Sequence, residues 1–138
     1  MAKVQTYNPK QVLIALGNHS VTGYADDSFI NVEKNGDGTV KKVGCDGEIV
    51  RAIDPDKSYK VTLSLLQTSP SSKFLQQQFD RDQKDGEGIF PVLIKDLKGG
   101  VIFSADSGWV AKPAARGYGK DSTNREWEID TGEADWKE

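Results

Sequence analysis

The chain has 138 residues, of which 36% are hydrophobic and 28% are charged, a composition typical of one soluble globular domain and not of a disordered chain. Its net charge of −3 argues against a protein that grips nucleic-acid phosphates, because such domains normally carry a basic excess. The N-terminus lacks a signal-peptide pattern, and no apolar run approaches the roughly 20 residues of a membrane helix. We therefore expect that the protein is made in a cytoplasm and does not insert into a membrane.

The first third of the chain predicts an arm followed by two strands. Residues 1–10 are polar and are expected to form an N-terminal arm. Val12–Leu16 is a short apolar run typical of a buried strand, and Phe29–Lys34 alternates apolar and polar side chains as a half-buried strand does. Asn35–Gly38 then predicts a tight turn, because glycine adopts positive φ without a steric penalty.

The middle of the chain contains the clearest strand. Residues 39–47 are punctuated by glycines, and Glu48–Ile53 predicts a strand that ends at a turn. In the segment from Lys60 to Leu65, three apolar residues alternate with Lys60, Thr62 and Ser64. One face of that strand is therefore expected to pack into the core and the other to be exposed to solvent.

One segment predicts a helix. Ser69 or Ser71 is expected to cap its start, Pro70 suits a first helical turn, and Asp85-Gly86 is expected to end it. Three further strands are predicted after the helix, at Ile89–Lys95, Val101–Val110 and Arg125–Asp130. Gly117–Ser122 is predicted to be a polar loop, and residues 131–138 an acidic tail.

These elements predict a single domain over residues 1–138. About seven strands and one helix, without internal repeats or domain linkers, make the fold class mainly β. The expected architecture is an antiparallel β-sandwich or small barrel with one flanking α-helix.

A search for catalytic or metal-binding patterns finds none. His19 is the only histidine and lies in a polar loop pattern, so it is expected to be an exposed loop residue and not a catalytic base. Cys45 is the only cysteine, which excludes an intrachain disulfide, and we interpret it as a small structural residue. One cysteine and one histidine cannot form a zinc site, and Asn35–Thr39 lacks the acidic ligands of a calcium loop. We therefore predict no enzyme activity, no metal and no cofactor.

The three tryptophans leave one binding function open. Trp109, Trp127 and Trp136 could form a sugar-stacking face on a β-sandwich. Trp109 and Trp127 lie in predicted strands, however, which favours a place in the core or at an interface.

Three segments in a fixed order carry a family resemblance. They are Val21–Glu33, with its Gly-Tyr-Ala-Asp-Asp-Ser-Phe-Ile-Asn-Val, then Val43–Arg51, with its Val-Gly-Cys-Asp-Gly-Glu, and then Val61–Ser72, with its Val-Thr-Leu-Ser-Leu-Leu-Gln-Thr-Ser. In this order they resemble the tail tube proteins of contractile-tailed phages, in particular the PhiTE-like tail tube family. The C-terminal part, including Val110–Pro113 and Glu126–Ile129, fits the family pattern more loosely.

The resemblance implies a structural subunit of an inner tail tube. Six copies would form a ring whose strands join into a continuous β-barrel around a lumen, and the rings would stack into the conduit for DNA ejection. The implied partners are the tail sheath, the baseplate and the terminator and tape-measure proteins, and the implied location is the virion, after assembly in the host bacterial cytoplasm. A long hairpin loop packs onto the neighbouring ring in such proteins, and by position residues 34–47 are similar to it, with these candidate stacking residues: Lys34, Asn35, Gly36, Asp37, Gly38, Lys41, Lys42 and Asp46.

The wet faces of two predicted strands are candidates for the lumen. Asn31 and Glu33 lie on one, and Lys60, Thr62 and Ser64 lie on the other. Because few of these residues are basic, DNA is expected to pass without specific binding. The glycine-rich segment 34–47 is expected to be flexible in a lone subunit and to become ordered on assembly.

Two alternatives share part of this evidence. A tailocin or type VI secretion-like tube protein would have the same fold and the same hexamer. A monomeric carbohydrate-binding β-sandwich would use the tryptophans and would not polymerise.

Overall fold

The protein, described over residues 3–138 by a computed structural model, forms ten β-strands and one α-helix within that range. The strands are β1 (Val12–Leu16), β2 (His19–Ser20), β3 (Ile30–Lys34), β4 (Thr39–Val43), β5 (Ile49–Ile53), β6 (Tyr59–Leu65), β7 (Phe90–Asp96), β8 (Val101–Lys112), β9 (Arg125–Thr131) and β10 (Ala134–Lys137), and the helix is α1 (Ser71–Asp85). The prediction of a mainly β, antiparallel fold with one flanking helix is confirmed.

One antiparallel sheet makes up the body of the molecule. Its strand order is β2-β1-β7-β8-β9-β6-β3, and β10 also pairs with β8. The sheet curls so that the segment after β2 reaches β6 near the other end of that order. Tyr24 forms a β-bridge with Leu65 while its hydroxyl donates a hydrogen bond to the carbonyl of Val12 at 3.2 Å. β4 and β5 pair only with each other, in a separate two-stranded sheet.

The core lies on the concave side of the curled sheet. The alternation seen in the sequence produces it, because every second side chain of a strand points to the same face. From Val61 to Leu65 in β6 and from Trp127 to Thr131 in β9, the inward residues are at most 2% exposed. The largest fully buried side chains come from several strands and the helix: Trp127, Phe103, Leu16, Leu63, Leu65, Leu75 and Ile129.

Helix α1 closes the core at one side of the sheet. Leu75 is fully buried, and the ring of Phe74 lies 6.0 Å from that of Phe90 on β7. The helix ends at Gly86, as predicted, with φ of 74° and its N–H bonded to the carbonyl of Asp82. Ser69, one of the two serines expected to cap the helix, satisfies a donor of the first turn: its Oγ accepts the backbone N–H of Ser71 at 3.3 Å, and the intervening Pro70 already has helical φ and ψ of −68° and −18°.

The structure differs from the predictions at three short strands. β2, β4 and β10 were not predicted, and each buries little side-chain surface, so its pattern is weak in the sequence. The segment 131–138 is not a free tail: β10 pairs with β8, Ala134 is buried, and the ring of Trp136 lies 5.0 Å from that of Phe103. Residues 3–8 of the predicted arm form no helix or strand, and residues 1–2 lie outside the described range.

Candidate functional site

The five candidate lumen residues lie on one face of the sheet. β3 pairs with β6 so that Asn31 is opposite Thr62 and Glu33 is opposite Lys60. Ser64 belongs to the same face of β6 by alternation, two residues further on. The two strands were predicted separately, and the antiparallel register brings their wet sides together.

A third strand extends this face and makes it acidic. β9 pairs with β6 so that Glu126, Glu128 and Asp130 are opposite Ser64, Thr62 and Lys60. We call the outward-facing residues of β3, β6 and β9 the polar face: Asn31, Glu33, Lys60, Thr62, Ser64, Glu126, Glu128 and Asp130. It contains four carboxylates and one ammonium group. The three β9 residues of the polar face were not predicted as lumen candidates, although they alternate with the buried Trp127 and Ile129 in a predicted strand.

Lys60 does not make the polar face a phosphate-binding surface. Its Nζ lies 3.2 Å from Oε1 of Glu128, in an ion pair whose two side chains are about one-third exposed. Such a pair contributes at most about 1 kcal/mol of stability. The ion pair neutralises the single cation of the polar face, so the remaining carboxylates make the local electrostatic field negative.

The eight candidate stacking residues do not form one continuous loop. Lys34 is the last residue of β3, Lys41 and Lys42 lie on β4, and Asp46 lies in the turn between β4 and β5. The remaining four connect β3 to β4: Asn35, Gly36, Asp37 and Gly38. The projecting unit is therefore a β-hairpin that continues past the predicted limit at residue 47 to Ile53, and we call residues 39–53 the hairpin.

Hydrogen bonds join the two chain segments at the base of the hairpin. The Asn35 side-chain amide donates to Oγ of Ser58 at 3.0 Å, and the backbone N–H of Asp37 donates to the Asp54 carboxylate at 3.1 Å. Lys34 Nζ donates to the carbonyl of Asp56 at 2.7 Å. Hydrogen bonds from the hydroxyl and the backbone N–H of Ser58, with a smaller contribution from Lys34, lower the pKa of Asp56 below its ordinary value of 3.8.

Both faces of the hairpin are uncovered. Every residue of β4 and β5 is exposed, and the large apolar side chains among them are 48–74% exposed: Val40, Val43, Ile49, Val50 and Ile53. An isolated two-stranded hairpin is marginally stable in water. Apolar surface concentrated in this way is typical of an interaction site.

The turn of the hairpin carries its acidic groups. Gly47 has φ of 89°, which favours glycine, and the Asp46 carboxylate accepts the backbone N–H of Glu48 at 3.1 Å. Cys45 is a free, exposed cysteine in this turn.

His19 has a packing role that differs from the predicted one. It lies on β2 and not in an exposed loop, with its ring stacked on that of Phe74 at 4.6 Å. Its Nε2 is 2.8 Å from Oγ of Ser71, which also accepts the backbone N–H of Thr22 at 3.1 Å. Ser71 is completely buried, so this pair is closed to a substrate.

The structure does not bring the three tryptophans together on one exposed face, since Trp127 is buried and Trp109 is half-buried on β8, opposite Asp130. Trp127 is fully buried, and its Nε1 lies 3.4 Å from Oγ of Ser72, while Trp136 is partly exposed against Phe103. No group of three or more potential metal ligands lies close together within residues 3–138. In the same range, no helix is long and apolar enough to cross a membrane.

Comparison with known proteins gives two sequence matches. The family described as Bacteriophage PhiTE tail tube protein matches residues 13–137. Structural protein ORF10 of Pseudomonas phage KPP10 is 31% identical over 135 residues, which cover 92% of this chain and 78% of that protein. Both descriptions are of structural proteins and neither is of an enzyme, in agreement with the prediction of no enzyme activity.

Solved structures with the same fold come from contractile injection systems. The sheath/tube terminator of the extracellular system PVC, in its extended state, has a TM-score of 0.72 over 99% of this chain and 100% of that chain. The tube-terminating cap of the anti-feeding prophage AFP has a TM-score of 0.67 over 99% and 94%. A chain of the PVC sheath-tube complex in the extended state has a TM-score of 0.65 over 96% and 91%. All three are 10% identical to this chain, so they establish a shared fold and nothing further.

Proposed function

Since the chain belongs to the bacteriophage PhiTE tail tube protein family, we propose that six copies form a ring and that these rings stack into the inner tube of a contractile tail, through which DNA passes on ejection. The observation that carries this proposal is the uncovered hairpin. A subunit with five large apolar side chains exposed on one projecting element requires a neighbour, and the next ring would supply it.

The polar face is the proposed lining of the lumen. Its four carboxylates and its single, ion-paired ammonium group present a net negative surface to a passing phosphate backbone. Tight binding of DNA requires cations that neutralise phosphates and release counterions. A surface that lacks such cations lets DNA slide, which suits a conduit.

The proposed setting is the phage particle. The tube would be enclosed by the sheath, would start from the baseplate and would end at the terminator, with the tape-measure protein setting its length. Assembly would take place in the cytoplasm of the host bacterium.

Electron microscopy of the purified protein at high concentration, together with its mass by light scattering, tests the proposal. We expect hollow rods built from rings of six. A variant with Val50→Ser and Ile53→Ser should remain monomeric with unchanged thermal unfolding, because the hairpin contributes nothing to the core. The matched control is Ile89→Ser with Leu97→Ser, which changes residues of similar exposure (55% and 54%) outside the hairpin and should still form tubes. Tubes of normal length from the hairpin variant would contradict the proposal.

A second candidate is the tube of a tailocin or of a type VI-like secretion system. The similarity of fold to chains of contractile injection systems favours it. The assembly would be the same, but the lumen would hold protein cargo or nothing. Nuclease-protected DNA recovered from intact particles would support the phage tube over this candidate.

A further inference from the structure

A basic cleft lies at the end of the curled sheet where α1 begins. It has a volume of about 340 Å³ and is lined in part by Lys73, Gln76, Arg116 and Arg125. Lys73 lies in the first turn of α1, Arg125 begins β9, and Arg116 lies in the segment between β8 and β9. Three elements thus bring three cations to one concave surface.

Neutral groups hold the two arginines of this cleft in place. Arg116 donates a hydrogen bond of 2.6 Å to Oε1 of Gln76, and its guanidinium lies 5.8 Å from the ring centre of Trp127. The Gln76 amide nitrogen donates to Asp80 at 2.9 Å, which turns its oxygen toward Arg116. Arg125 lies 3.4 Å from the hydroxyl of Tyr118.

None of the three cations has a carboxylate partner. The ion pairs within residues 3–138 are Lys57–Glu133 and Lys60–Glu128, and neither includes a residue of the cleft. A guanidinium has five N–H donors in a fork that matches a carboxylate, and only part of that capacity is used here. The cleft is therefore organised to accept a carboxylate-bearing segment.

The turn of the hairpin is the segment of this chain with the matching chemistry. Asp46 and Glu48 are exposed there, beyond the basic residues Lys41, Lys42 and Arg51 of the strands. A hairpin that enters a cleft turn first therefore presents its carboxylates before its cations. Its five-residue strands, at about 3.3 Å per residue, carry the turn roughly 17 Å from the base.

The cleft and the base of the hairpin lie at opposite ends of strand β6. Lys34, which precedes the hairpin, pairs with Tyr59 at one end of β6. Arg125 of the cleft pairs with Leu65 at the other end of the same strand. In a head-to-tail stack, the hairpin of one subunit therefore points toward the cleft end of a subunit in the next ring.

We propose that this basic cleft is the receptor for the hairpin turn of a second copy of the chain, with Asp46 and Glu48 of one ring paired with Lys73, Arg116 and Arg125 of the next. The proposal rests on the stacked tube proposed above and identifies both sides of its contact. The two surfaces differ, so the contact is heterologous and propagates without closing, and it gives the tube a direction.

Charge reversal on each side, alone and together, tests the pairing. Wild-type tubes are established first, because their absence would count against the tube itself. The cleft variant Lys73→Glu with Arg116→Glu and the turn variant Asp46→Lys with Glu48→Lys should each raise the protein concentration needed for tubes at least about tenfold. The chain that carries all four changes should form tubes again near the wild-type concentration, because the opposite charges face each other once more.

Controls separate this pairing from folding and from net charge. Arg81→Glu with Lys84→Glu, and Asp85→Lys with Glu87→Lys, make the same two changes of net charge at exposed residues in or just after α1, outside the cleft, and should leave the assembly concentration unchanged. Thermal unfolding checks each variant, and Lys73→Glu alone replaces the cleft variant if Arg116→Glu fails to fold. Assembly of either reversed variant at the wild-type concentration would overturn the proposal. So would loss of tubes without recovery in the fourfold variant, since another partner would then occupy the cleft.

Discussion

At the scale of single residues, Trp127 anchors the contact between the sheet and the helix. It is fully buried, its indole N–H reaches Ser72 in the first turn of α1, and Arg116 lies over its ring. The same side chain therefore fills the core and supports one wall of the basic cleft. The position of Trp127 in a predicted strand indicated that it is buried. Its contact with the helix could not be predicted, because β9 and α1 are far apart in the sequence and meet only in the folded chain.

Replacing Trp127 tests how much of the stability this residue supplies. Trp127→Ala should lower the free energy of unfolding by about 3–5 kcal/mol, because it leaves a large cavity in a packed core. Urea denaturation followed by circular dichroism measures the loss. Trp136→Ala is the matched control, and its effect should be clearly smaller because Trp136 is 42% exposed. Equal effects of the two changes would mean that burial does not distinguish these tryptophans.

Asp56 makes the base of the hairpin sensitive to acid. Because hydrogen bonds from Ser58 lower the pKa of Asp56, its contribution to stability is complete above the ordinary value of 3.8 and is lost as the pH falls through the lower value in the folded protein. Asp56→Asn should therefore make the acid-induced loss of stability shallower as the pH falls below 3.8. Thermal unfolding across that range measures it. Asp121→Asn is the control, and an equal flattening there would argue against a special role for Asp56.

At the scale of elements, the hairpin stands apart from the rest of the fold. β4 and β5 pair only with each other, and all their side chains are exposed, whereas β6 and β9 bury alternate residues in the core. Local stability follows buried contacts, so different elements of one domain open with different free energies. The hairpin is the element with least to hold it in a lone subunit.

Amide hydrogen exchange tests this difference directly. In the isolated monomer, the amides of β4 and β5 should exchange rapidly while those of β6 and β9 are protected. In assembled tubes, the hairpin amides should become protected as the next ring covers them. Strong protection of the hairpin in monomers would refute the expectation that it becomes ordered only on assembly.

Burial explains how well most elements were predicted, and β5 is the exception, because it buries no side chain and was still predicted from its apolar residues. β1 and β6 were predicted almost to the residue, since their apolar runs and alternation are produced by burial. β4 and β10 were not predicted, because β4 buries no side chain and β10 buries only Ala134. These two strands are stabilised mainly by backbone hydrogen bonds. Backbone hydrogen bonds do not depend on side-chain type, so they leave little trace in the sequence.

At the scale of the whole molecule, charge is divided between surfaces. The polar face is acidic and the cleft is basic, and the net charge of −3 does not reveal either of these local charges. A nearly neutral sum can therefore conceal one surface suited to DNA passage and another suited to an acidic segment.

Reversing charge on the polar face tests its proposed place in the lumen. Glu33→Lys should slow DNA release from assembled particles, because an added cation holds phosphates, and it should leave tube assembly intact. DNA release timed by fluorescence in particles that carry the variant measures the effect, which should diminish at high salt. Glu87→Lys, an exposed residue just after α1, is the control. If Glu33→Lys particles release DNA as fast as the wild type, β3 does not line the lumen.

Local patterns in the chain were enough to predict the fold class, most strands, the helix and the family, because burial imposes a period of two or 3.6 on apolar residues and an ordered set of motifs is present in Val21–Ser72. The surfaces that these elements build depend on long-range packing. The register of β9 against β6 extends the polar face, the pairing of β4 with β5 makes a glycine-rich segment a hairpin, and the meeting of α1 with Arg116 and Arg125 makes the cleft. Each of these depends on residues far apart in the chain, whose proximity is set by packing of the whole molecule and not by any local pattern.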